Sequence, residues 1–263
     1  MASHTSVSAD VHDTRVVVTG ATSGLGLAMA KALAYADARV GVTSRSRERS
    51  QATAKELGAK AVGFELDVRE ERSVAAFVDQ VYGRFGGIDM LVNNAGIGMK
   101  TVNPRFLEEP QPFWDVSPNG FREVFETKVA GMFLVSRAVV PPMLNASSGR
   151  IVNISMSEST MTRRGYVPYG PSGAAVEALA RIMAAELEAT PIRVNMLLPG
   201  GPTATGMVPD AISAETRARL LDPEIMGPPI VWLASEEAKG VHNERIVAKD
   251  FDDWLTHRRA AQA

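Results

Sequence analysis

The sequence predicts a doubly wound α/β fold, in which a parallel sheet of about seven strands carries helices on both faces. Short β-branched runs alternate with alanine-rich segments of helical period along most of the chain. Such alternation is typical of parallel sheets with right-handed helical crossovers. Residues 16–18 and 194–198 are almost entirely apolar runs, as expected of strands that are buried on both faces.

Seven strands are predicted along the chain, at residues 15–19, 39–44, 61–65, 88–93, 150–154, 192–198 and 244–248. Helices are predicted at residues 25–35, 48–57, 71–85, 121–143 and 172–187, from apolar residues that recur at helical spacing. Two long irregular segments, 97–119 and 199–229, each follow a strand. Because ligands of such sheets bind beyond the carboxyl ends of the strands, both segments are expected to cover a site.

One dinucleotide-binding and catalytic domain is expected over residues 14–250, with a flexible N-terminal tail at 1–13 and a C-terminal tail at 251–263. The N-terminal residues are polar and lack the apolar stretch of a signal peptide. No apolar run approaches the roughly 18 residues that span a bilayer. A cytoplasmic location is therefore expected.

Composition narrows the chemistry that this chain can perform. Cysteine is absent from its 263 residues, which excludes a thiolate nucleophile and cysteine-ligated metal. No metal site is expected, because the four histidines lie near the two ends, at His4, His12, His242 and His257. A net charge of −2 favours neither nucleic acid nor membrane as a partner. The expected partner is a small molecule, handled by hydroxyls, carboxylates, lysines, amides or an organic cofactor.

The first strand runs directly into a glycine-rich segment, residues 19–26, and a helix follows. Glycines let the backbone turn tightly and let a pyrophosphate approach closely. The helix N-terminus then presents free N–H groups to the phosphates. The residues expected to contact a dinucleotide here are Gly20, Thr22, Ser23, Gly24, Leu25 and Gly26.

The glycine spacing, Gly-x-x-x-Gly-x-Gly, and the Asn-Asn-Ala-Gly segment at 93–96 resemble the short-chain dehydrogenase/reductase family. Further matches are Leu-Asp-Val at 66–68, the segment 149–155, Tyr169-x-x-Ser172, the segment 192–195 and Pro-Gly at 199–200. The resemblance extends from about residue 15 to residue 248. It implies a Rossmann-type fold and hydride transfer between a nicotinamide cofactor and an alcohol or carbonyl.

The resemblance also implies where that cofactor binds. Asp67 and Val68 would border the adenine, and Asn94, Ala95 and Gly96 would lie on the adenosine ribose side. Pro199 and Gly200 would line the nicotinamide, and Thr205 would touch its carboxamide or the diphosphate. Asn93 either takes part in this site or simply braces the sheet.

The end of the second strand favours NADP(H) over NAD(H). A carboxylate there would bond the adenosine 2′-hydroxyl and repel a 2′-phosphate. This sequence has Ser44 and Arg45 instead, and a guanidinium and a hydroxyl can both bind a 2′-phosphate. Alternatively, the arginines of this stretch are solvated charges at the start of a helix.

Three of the four catalytic positions of the family differ in this chain. The family has a tyrosine, a lysine four residues after it, a serine thirteen residues before it and an asparagine on the preceding long helix. Here Tyr169 is present, but the other positions hold Gly173, Met156 and Lys128. Because a tyrosine of ordinary pKa is a weak base near neutrality, losing the lysine is expected to impair or alter activity.

Several residues could replace the missing groups. Ser155 and Ser157 flank Met156, and either could serve if the chain bends after residue 154. Lys128 could reach Tyr169 as a substitute cation, or it could be a surface lysine. Nothing in the local sequence requires a glycine at 173, so Gly173→Lys is expected to raise turnover. An engineered change at 173 would also explain the missing lysine.

The sequence thus favours an NADP(H)-dependent carbonyl reductase or alcohol dehydrogenase with Tyr169 as acid/base. Two alternatives stay open: a cofactor-binding sensor or assembly partner, and a redox-neutral dehydratase, isomerase or lyase. By resemblance, helices 121–143 and 172–187 would form the contacts of a homodimer or homotetramer. Three further sets of residues have roles that stay open. The residues Phe106, Phe113 and Trp114 could form an apolar lid or a subunit contact. Arg163 and Arg164 could bind an acidic substrate, or they could be charges of a surface loop. Phe251 and Trp254 could anchor the C-terminal tail across a subunit contact.

Overall fold

The computed structural model describes residues 10–209 and 212–262. One parallel seven-stranded sheet has the order β3-β2-β1-β4-β5-β6-β7, which confirms the predicted doubly wound α/β fold. Each predicted strand agrees with the observed one to within two residues at either end. The strands are β1 Arg15–Val18, β2 Arg39–Ser44, β3 Ala61–Glu65, β4 Met90–Asn93, β5 Gly149–Ile154, β6 Ile192–Leu198 and β7 Arg245–Val247.

Helices cover both faces of this sheet. They are α1 Gly24–Tyr35, α2 Arg47–Leu57, α3 Glu71–Phe85, α4 Pro118–Phe125, α5 Gly131–Asn145, α6 Glu158–Met161, α7 Tyr169–Leu187, α8 Ala214–Ala218, α9 Gly227–Ala234 and α10 Phe251–Gln262. Within the described ranges, no helix has the length and apolar character needed to cross a membrane.

Alternation along the strands divides the apolar core between the two faces. In β1, Val16 and Val18 pack with residues of α1, α9 and α10, whereas Val17 packs with residues of α3, α5 and α7. All three valines are fully buried, because successive side chains of a strand point to opposite faces. Two cores of this kind are what a sheet covered on both sides requires.

Two differences from the predicted helices bear on the site. The single helix expected at 121–143 consists of α4 and α5, joined by a π-helical turn at Glu126–Ala130. Helix α7 begins at Tyr169, three residues earlier than expected. Tyr169 therefore occupies the first position of a long helix.

The prediction of a C-terminal tail is wrong over residues 251–262. These residues form α10, whose Phe251 and Leu255 are buried in the core. Trp254 stacks on Phe251 and meets the edge of Trp232 from α9. Apolar residues at i, i+3 and i+4 give this segment an amphipathic face, so Phe251 and Trp254 anchor it to its own subunit.

Part of the predicted N-terminal tail also packs on the domain. Val11 is 1% exposed and belongs to the core beside α1, and its carbonyl accepts a hydrogen bond from the amide of Thr14. The domain therefore begins before residue 14. The rest of the predicted tail, residues 1–9 with His4, lies outside the described residues.

Candidate active site

The glycine segment forms a tight turn between β1 and α1. Gly20 has φ +65°, in the left-handed region that favours glycine. A Cβ atom on Gly26 would overlap the carbonyl oxygen of Gly20 and the side chain of Asn94. Only glycine at these positions lets the helix begin so close to the turn.

The N-terminus of α1 fits the phosphates of a dinucleotide. Ser23 is the N-cap residue, but its side chain makes no capping hydrogen bond. The free N–H groups of the first turn, beginning at Gly24 and Leu25, are therefore available to an anion. Thr22 lies at the same end and accepts a hydrogen bond of 3.4 Å from the guanidinium of Arg49.

Asn94, which directly follows β4, holds this turn in place. Its side-chain amide donates to the carbonyl oxygens of Thr19 and Gly20, at 2.9 and 3.1 Å. The hydroxyl of Thr19 accepts from the amides of Asn94 and Ala95, both at 2.9 Å. The end of β4 and the glycine turn are thus one hydrogen-bonded unit.

Asn93, in contrast, faces the interior. Its amide donates to the hydroxyl of Ser136 and the side-chain oxygen of Asn153, at 2.9 and 2.8 Å. These bonds connect β4 to α5 and β5. These contacts favour the second of the two roles considered for Asn93, which is to brace the sheet.

The end of β2 carries polar and charged side chains at the carboxyl ends of the strands. Arg45 is exposed and, within the described residues, has no carboxylate partner in an ion pair. The hydroxyl of Ser44 accepts from the amide of Ser46 at 3.2 Å and retains its own hydrogen for donation. Arg49, in the first turn of α2 and hydrogen-bonded to Thr22, is a further candidate that the sequence analysis missed.

Asp67 and Val68 lie where β3 ends. Arg69 makes a two-pronged hydrogen bond to the Asp67 carboxylate, at 2.9 and 2.6 Å, and this holds the pKa of Asp67 below its ordinary value. The charge of Arg45 lowers that pKa further. Val68 is buried against Gly131 at the start of α5, where a Cβ atom would lie 2.5 Å from its Cγ2.

The chain after β6 contains the residues that the resemblance expects to line the nicotinamide. The carbonyl of Pro199 accepts from the amide of Lys249 at 3.2 Å, and Gly200 turns the chain with φ +95°. Thr205 lies at the start of α1, since a Cβ atom on Gly24 would lie 3.3 Å from its Cβ and Cγ2. Of the two contacts implied for Thr205, this position fits the diphosphate.

The π-helical turn brings Lys128 to Tyr169. The Lys128 ammonium lies 4.3 Å from the centroid of the Tyr169 ring. Its stem passes Gly96, where a Cβ atom would lie 3.1 Å from Lys128 Cγ. π-helical turns often occur at functional sites, where they change the direction of a side chain. The half-buried lysine is therefore directed inward, rather than placed on an exposed helix face.

Burial shifts the pKa values of both groups in opposite directions. It lowers the pKa of Lys128 to about 8, and it raises the pKa of Tyr169 to about 12, with a small further rise from Tyr166. Each shift arises because a charged form loses water on burial. Near neutral pH, Tyr169 is thus a protonated phenol, and most of Lys128 is a cation beside it.

Gly173 and Met156 fit each other. A Cβ atom on Gly173 would lie 2.6 Å from both Sδ and Cε of Met156 and 2.9 Å from its Cγ. Met156 is 7% exposed and fills the space next to the first turn of α7. A side chain at position 173 would therefore require the flexible end of Met156 to shift, a tertiary contact that the local sequence does not contain.

The two serines beside Met156 are bound to other groups. The hydroxyl of Ser155 donates to Glu177 at 2.5 Å, and Glu177 is in turn paired with Arg245 at 2.8 Å. The hydroxyl of Ser157 shares hydrogen bonds with Ser159 and Thr160, at 3.2 and 2.8 Å. The hydrogen bonds of Ser155 and Ser157 do not include the Tyr169 hydroxyl, and a catalytic role for either serine stays a prediction.

Replacing Lys128 by methionine is expected to stabilise the fold by about 2 kcal/mol near neutral pH. A pKa lowered from 10.5 to about 8 means that the charged lysine is disfavoured in the folded state. That free-energy cost is fully present below about pH 8, and it disappears as the pH rises past the pKa that the lysine has in the unfolded chain. Loss of the cation–π contact offsets about 1 kcal/mol of the gain.

Chemical denaturation of both proteins, near neutrality and again above about pH 10, checks this expectation. The gain should shrink at the higher pH. Lys55→Met, on an exposed position of α2, is the matched control and should leave the unfolding free energy unchanged. Equal stabilisation by the two variants, or destabilisation by Lys128→Met, would contradict a cost from the buried charge.

Comparison with known proteins shows the family of this chain. The family model of short chain dehydrogenases matches residues 14–216. A 3-oxoacyl-[acyl-carrier-protein] reductase of Vibrio cholerae is 32% identical over 239 residues, which cover 88% of this chain and 93% of the relative. A cyclopentanol dehydrogenase of Comamonas is 34% identical over 251 residues, covering 90% of this chain and 96% of that protein.

The fold also matches a solved structure. A 3-ketoacyl-(acyl-carrier-protein) reductase from Brucella melitensis, crystallised with NADH, superimposes with a TM-score of 0.79 at 27% identity, over 90% of this chain and 97% of that one. The chain belongs to the short-chain dehydrogenase/reductase family, whose members are nicotinamide-dependent oxidoreductases of alcohol and carbonyl groups.

Proposed function

We propose that this chain transfers hydride between NADP(H) and a carbonyl or alcohol, with Tyr169 as the acid/base and Lys128 as the cation that assists it. The observation that carries the proposal is the Lys128 ammonium, 4.3 Å from the centroid of the Tyr169 ring. It supplies a positive charge from the π-helical turn, in a site where the helix position four residues after Tyr169 holds Gly173.

Bound NADPH supplies the hydride that reduces the carbonyl carbon. The Tyr169 hydroxyl donates a proton to the carbonyl oxygen, and a pKa of about 12 keeps that proton in place at neutral pH. The phenolate left behind is stabilised by the adjacent ammonium of Lys128. The reverse reaction needs the phenolate as a base, so we expect carbonyl reduction to be the faster direction near neutrality.

The preference for NADP(H) is supported by the groups at the end of β2. Ser44 stands where a carboxylate would select NAD(H). Arg45 is exposed beside it, and Arg49 extends from the next helical turn to Thr22 of the glycine turn. Two arginines at one edge of the cofactor site favour a ligand with a phosphate on its ribose.

Arg45→Ala is expected to raise the KM for NADPH about tenfold and to leave the KM for NADH nearly unchanged, since a charge-assisted contact contributes roughly 1.5 kcal/mol or more. Initial rates with each nicotinamide check this. Arg84→Ala, at the end of α3 and beside Arg39 at the amino end of β2, away from the end that carries Arg45, is the matched control. Equal losses with both nicotinamides would show that Arg45 does not read the 2′-phosphate.

The activity itself is tested by incubating the chain with NADPH and a panel of aldehydes and ketones. Oxidation of NADPH in step with alcohol formation is the expected result. Binding of NADPH without oxidation over the whole panel would favour the cofactor-binding sensor or assembly partner. Consumption of a substrate without any change in the nicotinamide would favour the redox-neutral enzyme.

The chain is also proposed to act as a homodimer or homotetramer in the cytoplasm. Phe133 of α5 and Ile182 of α7 support the assembly, because they are 46% and 54% exposed on the two helices that resemble the family's subunit contacts. Burial of large apolar side chains is the usual driving force of such contacts.

A further inference from the structure

The Tyr169 hydroxyl is covered by Met207. Among the described residues, the hydrogen-bonding neighbour of this hydroxyl is the Met207 sulfur, at 3.9 Å. A thioether is a weak acceptor, and a long contact of this kind is easily replaced by a better acceptor such as a carbonyl oxygen. Met207 therefore occupies the place that a substrate oxygen must take to receive the proton.

Met207 also connects the two irregular segments that flank the site. It lies in the chain after β6 and packs against Gly98 in the chain after β4, where a Cβ atom would lie 3.1 Å from its Cγ and Sδ. Its backbone is held weakly, by a hydrogen bond of 3.4 Å from its amide to the hydroxyl of Thr205. The side chain is 36% exposed, so it can leave its position without disturbing a packed core.

The wall beyond Met207 is apolar. Met99, Phe106 and Tyr166 form one buried cluster against which Tyr169 packs. The Phe106 ring meets Tyr166 edge-on with centroids 5.4 Å apart. A substrate that displaces Met207 thus enters a space bordered by thioethers and aromatic rings, which accept varied apolar shapes.

The cations Arg163 and Lys128 lie over aromatic rings at this wall. The guanidinium of Arg163 lies over the ring of Tyr166, 4.8 Å from its centroid. Lys128 lies over the face of the Tyr169 ring. A carboxylate on the substrate would have to be desolvated against the apolar wall, which is costly unless it draws the Lys128 ammonium away from Tyr169.

We infer that Tyr169 acts on an uncharged, apolar carbonyl or alcohol, and that the Met207 side chain limits the size of that substrate. The inference rests on the proposed function and specifies its substrate class. Met207 serves as a specificity-determining residue: its side chain must move aside for any substrate, and a bulky one cannot share the space with it.

Two comparisons test the inference in the wild-type chain with NADPH. The first uses a matched pair, an oxocyclohexanecarboxylate and its methyl ester. The ester is expected to have a kcat/KM at least about tenfold higher, since an unpaired buried charge costs several kcal/mol. A preference for the carboxylate would overturn the inference and would assign Arg163 or a neighbour to an acidic substrate.

The second comparison uses cyclohexanone and a decalone with Met207 variants. Met207→Ala is expected to raise kcat/KM for the decalone relative to cyclohexanone about tenfold, the effect of a few methylene groups in a pocket. Met207→Leu keeps the volume and removes the sulfur, so it should retain the wild-type ratio. An unchanged ratio in Met207→Ala would overturn the assignment of Met207.

Failure of the inference can be separated from failure of the proposed function by a binding measurement. If no ketone is reduced, the decalone is titrated into the chain with NADPH and its binding is followed by ligand-observed NMR. The inference then expects about tenfold tighter binding to Met207→Ala than to the wild type. Equal affinities would contradict it, whatever the outcome for hydride transfer.

Discussion

Replacing Met156 by Ser, Gly173 by Lys and Lys128 by Asn together is expected to raise kcat for carbonyl reduction about 100-fold. The triple variant has the four residues that the family places around its tyrosine. The lysine at 173 lies one helical turn after Tyr169, on the same face, and lowers the pKa of the phenol by its charge. The serine at 156 adds a donor for the substrate oxygen.

The single variant Gly173→Lys is expected to behave differently. Its Cβ atom alone would lie 2.6 Å from the end of the Met156 side chain, so that side chain must leave its place. Overpacking of this kind costs about 1–3 kcal/mol. We therefore expect a lower Tm and no gain in turnover, which revises the expectation from the sequence alone.

Steady-state kinetics and thermal unfolding of both variants check these expectations. A rise in turnover with Gly173→Lys alone would show that Met156 moves aside freely. A triple variant that folds, binds NADPH and is no faster than the wild type would show that this site does not use the family's chemistry.

Replacing Lys128 by methionine is expected to lower kcat for carbonyl reduction about 100-fold near neutral pH. Methionine keeps an unbranched side chain beside Gly96 and removes the charge. The phenolate of Tyr169 then forms without an adjacent cation, in surroundings that already raise its pKa to about 12. The same variant is expected to be more stable than the wild type, so a loss of turnover cannot be attributed to unfolding.

A double-mutant cycle shows whether Lys128 acts through Tyr169. Tyr169→Phe removes the hydroxyl, and any charge effect on that hydroxyl disappears with it. Lys128→Met is therefore expected to cost little further activity in the Tyr169→Phe background. Losses that multiply in the double variant would mean that Lys128 has a separate role, such as a contact to the cofactor.

The fold could be predicted from the sequence because its signals are local. The fully buried Val16–Val18 run marks a strand covered on both faces, and the glycines of residues 19–26 mark the turn that follows it. Helix α10 was missed because its apolar face is small and depends on Trp232 from a distant helix. The helical spacing of Phe251, Trp254 and Leu255 is the sequence signal that indicates this helix.

The candidate site was only partly predictable. Tyr169 and the glycine turn could be identified from motifs. The contact of Met156 with Gly173 connects residues 17 positions apart on different elements, so no local pattern contains it. The direction of Lys128 depends on the π-helical turn at Glu126–Ala130, and the position of Met207 depends on how two irregular segments meet over Tyr169.

The central claim is that the Lys128 cation assists proton transfer by Tyr169, and the pH dependence of carbonyl reduction tests it most directly. Because the pKa of Lys128 is about 8, kcat/KM of the wild type should be constant at lower pH and should fall as the pH rises through that value. Lys128→Met should be slower and should lack this fall between about pH 6 and about pH 10. Superimposable profiles of equal height would contradict the claim.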